Sequence, residues 1–323
     1  MIVKAGILNA INQKISYTDV RIERSEEEVL VRLTASSLNR RDLWIQEGLY
    51  ARIQLPCIPG SDGCGWLGGQ EVILLPSINW GESGSFQSKN FQVLGMPHHG
   101  TCSEYIAIDP QLIYSKPNHL DHIEAASLPL SGLTAWRALM TQGHAQPGQK
   151  ILITGIGGGV ASFVLLFAVA HGMEVYVTSG TQDKIDKAVS LGSKNGVNYK
   201  DSRAFEQLSE MASGFDVIID SAGGPDFHKL LRLANYGGHV VMYGGTLGNI
   251  DHINPQNLFW KQITIKGSTM GSPKEFREML DFIGDKKVKP VIDRVFPLSE
   301  IDEAFNYMRS GNHFGKIVLD HTR

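Results

Sequence analysis

Residues 151 to 161 read Ile151-Leu152-Ile153-Thr154-Gly155-Ile156-Gly157-Gly158-Gly159-Val160-Ala161. Apolar and β-branched residues lead into a cluster of glycines, and an apolar stretch follows to His171. The pattern predicts a buried strand, a tight turn and a helix. Glycines at Gly155 and Gly157 let the chain bend and let backbone N–H groups approach a pyrophosphate, which the positive end of the following helix also attracts. The spacing G-x-G-x-x-G is imperfect: Gly155, Gly158 and Ala161 fit a spacing-three variant with alanine last. Such a motif is weak alone, so its surroundings must carry it.

Ile151 to Ala170 contains no charged residue, and its length matches a membrane span of about 20 residues. The glycine cluster in its first half suits a strand–turn–helix and not a spanning helix. On the C-terminal side, strands and helices alternate: strand Val175–Thr178, helix Lys184–Leu191, strand Val197–Tyr199, helix Ala204–Met211, strand Asp216–Asp220. A helix opened by Pro225 runs to Leu233, and strands follow at Val240–Tyr243 and Ile263–Ile265. Alternation at this spacing predicts a parallel, doubly wound sheet with helices on both faces.

On the N-terminal side, residues 1 to about 117 read as short strands between Gly- and Pro-rich turns: Val3–Leu8, Val29–Ser36, Glu71–Leu75 and Tyr105–Ile108. This predicts a β-rich, barrel-like domain. Asn39 to Glu47 reads as a short helix and Ser77 to His99 as a polar loop long enough to cover a site. Asp121 with Glu124 forms a helix-opening box, and helical periodicity resumes from Leu133 to Thr141. After the alternating region come a second box at Ser272-Pro273-Lys274-Glu275, a helix opening at Ser299 and a strand at Lys316–Leu319. These last pieces are expected to rejoin the first domain. The expected division is 1–120, 121–267 and 268–323.

The chain has 323 residues, 42% of them hydrophobic, and a formal net charge of −3 spread without long blocks. That allows two buried cores and excludes a nucleic-acid-binding stripe or a charged disordered tail. Cys57, Cys64 and Cys102 form no CxxC pair, which fits a reducing compartment better than a disulfide framework. Met1 to Ala10 has no long apolar region, so no signal peptide is expected and the location expected is cytoplasmic.

Eight stretches in order carry a resemblance: Asn39-Arg40-Arg41-Asp42, Leu55-Pro56-Cys57-Ile58-Pro59-Gly60, Gly100-Thr101-Cys102-Ser103-Glu104-Tyr105, Leu128-Pro129-Leu130-Ser131-Gly132-Leu133-Thr134-Ala135, the glycine turn, Asp216–Gly224, Gly237–Gly245 and Gly315-Lys316-Ile317-Val318-Leu319. In this order and spacing the chain resembles the medium-chain dehydrogenase/reductase superfamily over essentially its whole length. The branch it resembles is the zinc-free, quinone-oxidoreductase-like one. The resemblance implies an α/β fold in which a Rossmann doubly wound parallel sheet is inserted into a GroES-like β-barrel domain. It implies an oxidoreductase using NADP(H), with a quinone or α,β-unsaturated carbonyl as partner and no nucleic acid or membrane. It also implies a homodimer made by edge strands near Ile263–Ile265.

The alcohol dehydrogenases of that superfamily hold a catalytic zinc at positions that here carry Asn39, Ser61 and Leu130, none a good zinc ligand. Ser77–His99 holds no cysteine, and His98-His99 reads as solvated loop. No metal is expected. A conjugated acceptor is already electrophilic, and hydrogen-bond donors can hold the charge that develops on its oxygen. By the resemblance, Asn39 faces the nicotinamide; as a residue it equally suits a helix cap. Tyr50 matches a tyrosine that lines the site in quinone-oxidoreductase-like members, against an ordinary half-buried role. Arg41, in an Arg40-Arg41 pair that replaces small or apolar residues, is a further catalytic candidate, against a surface role.

The strand from Glu174 ends at Ser179-Gly180, where NAD-specific domains place an acid, and Asp183 falls past the strand end. Ser179 and Lys184, with Tyr199 by resemblance, are expected to meet a 2′-phosphate. The remaining cofactor contacts implied are Gly155, Gly157, Gly158, Gly159, Val160, Thr134, Ala222, Gly244, Thr269 and Lys316. Two other readings stay open: a zinc-dependent dehydrogenase using unaligned ligands, and a nucleotide-binding redox sensor or structural protein without turnover.

Overall fold

The strand Lys150–Ile153, which ends in the glycine turn, is central in a six-stranded parallel sheet. The computed structural model describes residues 1–323 and divides into two units, Thr134–Met270 and the combination of Met1–Leu133 with Gly271–Arg323. In the first of these the strands run in the order Asn195–Asn198, Glu174–Ser179, Lys150–Ile153, Phe215–Asp220, Ala234–Met242, Thr264–Gly267. The order reverses between Lys150–Ile153 and Phe215–Asp220, each of which continues in parallel register with its neighbours. In a sheet of this kind the crevice beyond the carboxyl ends at the reversal is the binding position. Leu152, Tyr176, Ile218 and Val240 from four strands form one face's core with Phe215, Phe227 and Leu231.

The uncharged stretch resolves into that strand and the helix Gly159–Ala170, which buries Phe163, Val164, Leu165 and Phe167. No helix is long and apolar enough to cross a membrane. Three details depart from expectation. The helix after Gly223-Gly224 spans Phe227–Leu233 with Asp226 as its cap, so Pro225 lies ahead of it and not inside. The next strand begins at Ala234, well before Val240, because a register shift opposite Phe215 and Val217 accommodates Gly237. A helix at Pro255–Lys261, capped by the Asn254 side chain, was not anticipated. The strand Thr264–Gly267 is the edge of the sheet.

The other unit is built on a seven-stranded sheet whose main path runs Ile292–Pro297, Lys316–Asp320, Val29–Ser37, Asp62–Leu67, Gln70–Leu74, Ile113–Ser115, with Tyr105–Ile108 also on Val29–Ser37. Val318 pairs with Ser37 and Asp320 with Ala35, so the C-terminal strand does return to the N-terminal sheet. The box at Ser272 forms as expected: Ser272 Oγ accepts from Glu275 N and Glu275 accepts from Ser272 N. The stretch Ser77–His99 is not wholly loop, since Ser77–Ile78 pairs with Gln92–Val93. The unit boundaries fall at Leu133/Thr134 and Met270/Gly271, not at 120/121 and 267/268. The reason is local: the helix His122–Ala126 packs on Val29–Ser37 and Asp62–Leu67, and Leu130 N–H donates to Asp62 Oδ1.

Cys57, Cys64 and Cys102 are free thiols in the interior of this unit, each 0% exposed. Burial pushes Cys57 up to about 11 and Cys64 to about 12, and raises Cys102 well above the usual thiol range. Because the thiolate is the reactive form, the native protein is expected to show no fast thiol titre with an aromatic disulfide reagent near neutral pH, and all three thiols on unfolding. A rapid native titre would contradict the packing around them.

Candidate active site

At the reversal of the parallel sheet, the loops after Ile153 and Asp220 are tied together. Thr154 Oγ1 donates to Asp220 Oδ1 at 2.6 Å, and Asp220 Oδ2 accepts from the backbone N–H of Ala222 and of Gly223. Gly155 N–H donates to Thr178 Oγ1, and Gly155 and Gly157 take φ of +64° and +124°, which glycine adopts without steric cost. Gly244 presses on the same crevice: a Cβ there would lie 2.5 Å from Ser221 O. The helix Gly159–Ala170 opens from Gly158 with no side-chain cap, and a Cβ on Gly158 would meet open space. Uncapped N–H groups, a positive helix end and a cradle without side chains fit a dinucleotide pyrophosphate. Gly155, Gly157, Gly158, Gly159, Val160, Ala222 and Gly244 are therefore assembled at the carboxyl edge.

The next strand ends in Ser179, which is buried, and Ser179 O accepts from Tyr199 N–H at 2.9 Å. Lys184 leans back over the turn: its Cδ lies 2.9 Å, and its Nζ 3.3 Å, from where a Cβ of Gly157 would be. Tyr199 Oη and Lys200 Cε come within 2.6 and 3.2 Å of the corresponding point on Gly180. Lys200, which has no ion-pair partner, was missed by the sequence reading. Its signal was present, since Asn198 pairs with Ser179 in parallel register and so sets Tyr199 and Lys200 beside the strand end. Thr134 is buried, with Oγ1 3.9 Å from Met270 Sδ, and Thr269 is an exposed residue past the edge strand.

In the β-rich unit the expected residues gather differently. Asn39 is the cap position of the helix Arg40–Gln46, yet its side chain does not cap. Asn39 N–H donates to Asp42 Oδ2, while its amide turns inward: Nδ2 donates to Asp62 Oδ2 at 2.8 Å and Oδ1 accepts from Ser131 Oγ and from Lys316 Nζ. Lys316 is 3% exposed, and its ammonium lies within 3.3 Å of Leu38 O, Asn39 Oδ1, Asp62 Oδ2 and Ser131 Oγ. This corrects its expected role: four internal acceptors surround its three hydrogens, leaving none for a cofactor. Arg41 is corrected likewise. It is buried, donating to Ser61 Oγ, Leu94 O and Met96 O, and does not extend to a substrate oxygen. Asp62 and Ser131 were missed; a carboxylate opening the otherwise uncharged strand Asp62–Leu67 was the available sign.

Arg41 also lies against Tyr50, its guanidinium carbon 5.1 Å from the ring centroid. Tyr50 is half-buried against the core and its hydroxyl has no hydrogen-bond partner in the protein. The ring lines an open pocket of about 550 Å³ with Asn9, Ala10, Ile11, Gly48, Ile53 and Leu55. Apolar walls with few polar tips suit a small organic molecule.

The positions that would hold zinc do not fit a metal. Asn39 Oδ1 is taken by Lys316 and Ser131, Ser61 Oγ lies between Arg41 Nη1 and Leu94 O, and Leu130 offers no side-chain ligand. Two buried cations would also repel a dication placed among them. His98 and His99 turn to separate partners, Gln92 Oε1 and Ile58 N–H.

The chain matches the family of zinc-binding dehydrogenases over residues 159–285 and the alcohol dehydrogenase GroES-like domain over residues 25–118. It is 39% identical to a zinc-type alcohol dehydrogenase-like protein of Leptosphaeria maculans, over 91% of this chain and 90% of that one. It is 27% identical to a quinone oxidoreductase of Pongo abelii, over 91% and 89%. Among solved structures, an NAD-dependent alcohol dehydrogenase superposes with a TM-score of 0.90 at 28% identity, covering 99% of both chains.

The filled ligand positions give a direct expectation. Elemental analysis of the purified protein should find no stoichiometric zinc, and a strong chelator should leave activity unchanged. About one tightly held zinc per chain, lost together with activity, would contradict the arrangement around Asn39 and Ser61.

Proposed function

The chain belongs to the medium-chain dehydrogenase/reductase superfamily, in its quinone-oxidoreductase-like branch, and from that premise we propose that it is an NADPH-dependent reductase of quinones or α,β-unsaturated carbonyls that works without metal. The observation that carries the proposal is the occupation of the polar positions around Asn39 and Ser61 by Lys316 and Arg41. With no Lewis acid to polarise a plain ketone, the acceptor must supply its own electrophilic carbon. A quinone or enone does so, because its charge after reduction spreads onto an oxygen that a hydrogen bond can hold.

Bound NADPH supplies the hydride. Gly155 to Val160 would hold its pyrophosphate, and Ser179, Lys184, Tyr199 and Lys200 would hold its adenosine 2′-phosphate. The walls around Tyr50 receive the acceptor's body. The unpaired Tyr50 hydroxyl donates to the acceptor oxygen as charge develops there, and the resulting enol or hydroquinone takes its proton from that side. Asn39 adds a second donor.

Purified protein should oxidise NADPH with a panel of quinones and enones, and not with saturated ketones. Tyr50→Phe should lower kcat by about a hundredfold with NADPH affinity unchanged; an unaltered rate across several acceptors would remove Tyr50 from the mechanism.

The cofactor preference is read by titration. NADPH should bind more tightly than NADH, and Lys184→Ala or Lys200→Ala should each weaken NADPH by about tenfold to a hundredfold while sparing NADH. Equal binding of the two cofactors, or equal loss of both in the variants, would mean that these lysines do not read the 2′-phosphate.

A further inference from the structure

Few side chains are costlier to bury than a lysine beside an aspartate, since both charges leave water and only close geometry with further hydrogen bonds offsets the loss. Lys316 and Asp62 are buried to that degree, with side-chain exposures of 3% and 0% and 3.0 Å between Nζ and Oδ2. Asp62 is fully engaged: Oδ2 accepts from Ser37 Oγ, Asn39 Nδ2 and Lys316 Nζ, and Oδ1 accepts from Leu130 N–H. The pair meets on Asn39. Its Oδ1 faces the ammonium at 2.8 Å and the Ser131 hydroxyl at 3.0 Å, and its Nδ2 faces the carboxylate at 2.8 Å. Turning the amide over would set an NH₂ group against an ammonium and a carbonyl against a carboxylate. The two charges therefore admit one orientation of Asn39. In that orientation one Nδ2 hydrogen is committed to Asp62, and the other has no acceptor in the protein.

We propose that Lys316 is a positioning residue for the reaction: acting through Asn39, its ammonium fixes the amide so that the uncommitted Nδ2 hydrogen is presented as a preorganised donor to the oxygen on which negative charge develops. The ammonium also polarises that amide, because it withdraws electron density through Oδ1 and makes Nδ2 the stronger donor. Asp62 keeps the cation in place, and Ser131 supplies the last acceptor. This inference rests on the hydride-transfer reading above, and it assigns Lys316 to Asn39 and not to the cofactor.

Lys316→Ala tests it. The turnover of a quinone that the wild type reduces should fall about a hundredfold, the loss typical of a misplaced reacting group, with the NADPH dissociation constant unchanged. Methylammonium in the assay should restore much of the loss, since it can enter the cage of Leu38 O, Asn39 Oδ1, Asp62 Oδ2 and Ser131 Oγ; tetramethylammonium, which has no N–H, should not. In an Asn39→Ala background, Lys316→Ala should cost nothing further, because the two act as one unit. Should the orphaned Asp62 prevent folding, Lys316→Met with Asp62→Asn removes both charges and gives the same comparison. A readout independent of turnover is the Asn39 side-chain amide in the NMR spectrum of the protein alone. The wild type should show two sharp, well-separated Nδ2 proton signals, the one held by Asp62 exchanging slowly, and the variant averaged or exchange-broadened ones.

A parallel fall in NADPH affinity would overturn the inference and return Lys316 to the cofactor. Losses at Asn39 and Lys316 that multiply independently, or Asn39 signals unchanged by the variant, would overturn it equally. If the wild type reduces none of the acceptors, the hydride-transfer reading fails, and the amide signals still decide whether Lys316 holds Asn39.

Discussion

The β-rich unit is organised around one electrostatic demand: Asp62, without exposed surface, must be paired. Its partners come from far apart in the chain. Ser37 and Asn39 stand at the end of the strand Val29–Ser37, Leu130 lies beyond the capping-box helix, and Lys316 opens the C-terminal strand. An unpaired carboxylate in that position would cost several kcal/mol. The pair therefore helps to specify that the last strand returns to the first sheet, in the register that sets Val318 opposite Ser37. The same network decides what the site can do. The oxygens of Asn39 and Ser61 are spent on an ammonium and a guanidinium, while the Tyr50 hydroxyl has no partner in the protein.

The other unit solves a different problem, how to bring backbone N–H groups to an anion. Its solution is steric. Positive φ at Gly155 and Gly157 and the missing Cβ at Gly158 leave a cradle at the reversal point of the sheet, and the Asp220 carboxylate fastens the facing loop. At the end of the neighbouring strand, Lys184 leans over Gly157 and Lys200 over Gly180, two lysines supplied by different elements.

The sequence by itself determined the periodic parts. Alternation from Lys150 onward required a parallel sheet because each strand–turn–helix unit buries its apolar face only by stacking on the next. The glycine cluster fixed the tight turn after the central strand, and the box at Ser272 fixed a helix start, because both are local chemistry: backbone freedom in one case, capping hydrogen bonds in the other. Neighbouring residues suffice for such signals, so they can be read along the chain.

Tertiary structure alone decided the rest. Whether Asn39 capped its helix or turned inward depended on a lysine 277 residues away. Whether Arg41 reached outward depended on the carbonyls of Leu94 and Met96. Lys316 sits in a motif that suggested a cofactor contact, but Asp62 lies nearer and buried, and a buried charge goes to the partner that offsets its desolvation. Lys200 gained its place from a strand register, and the edges of the two units were set by where a short helix packed. These outcomes are contests between long-range partners for the same donors and acceptors, and the winner is fixed by three-dimensional proximity and burial, neither of which is local in the chain.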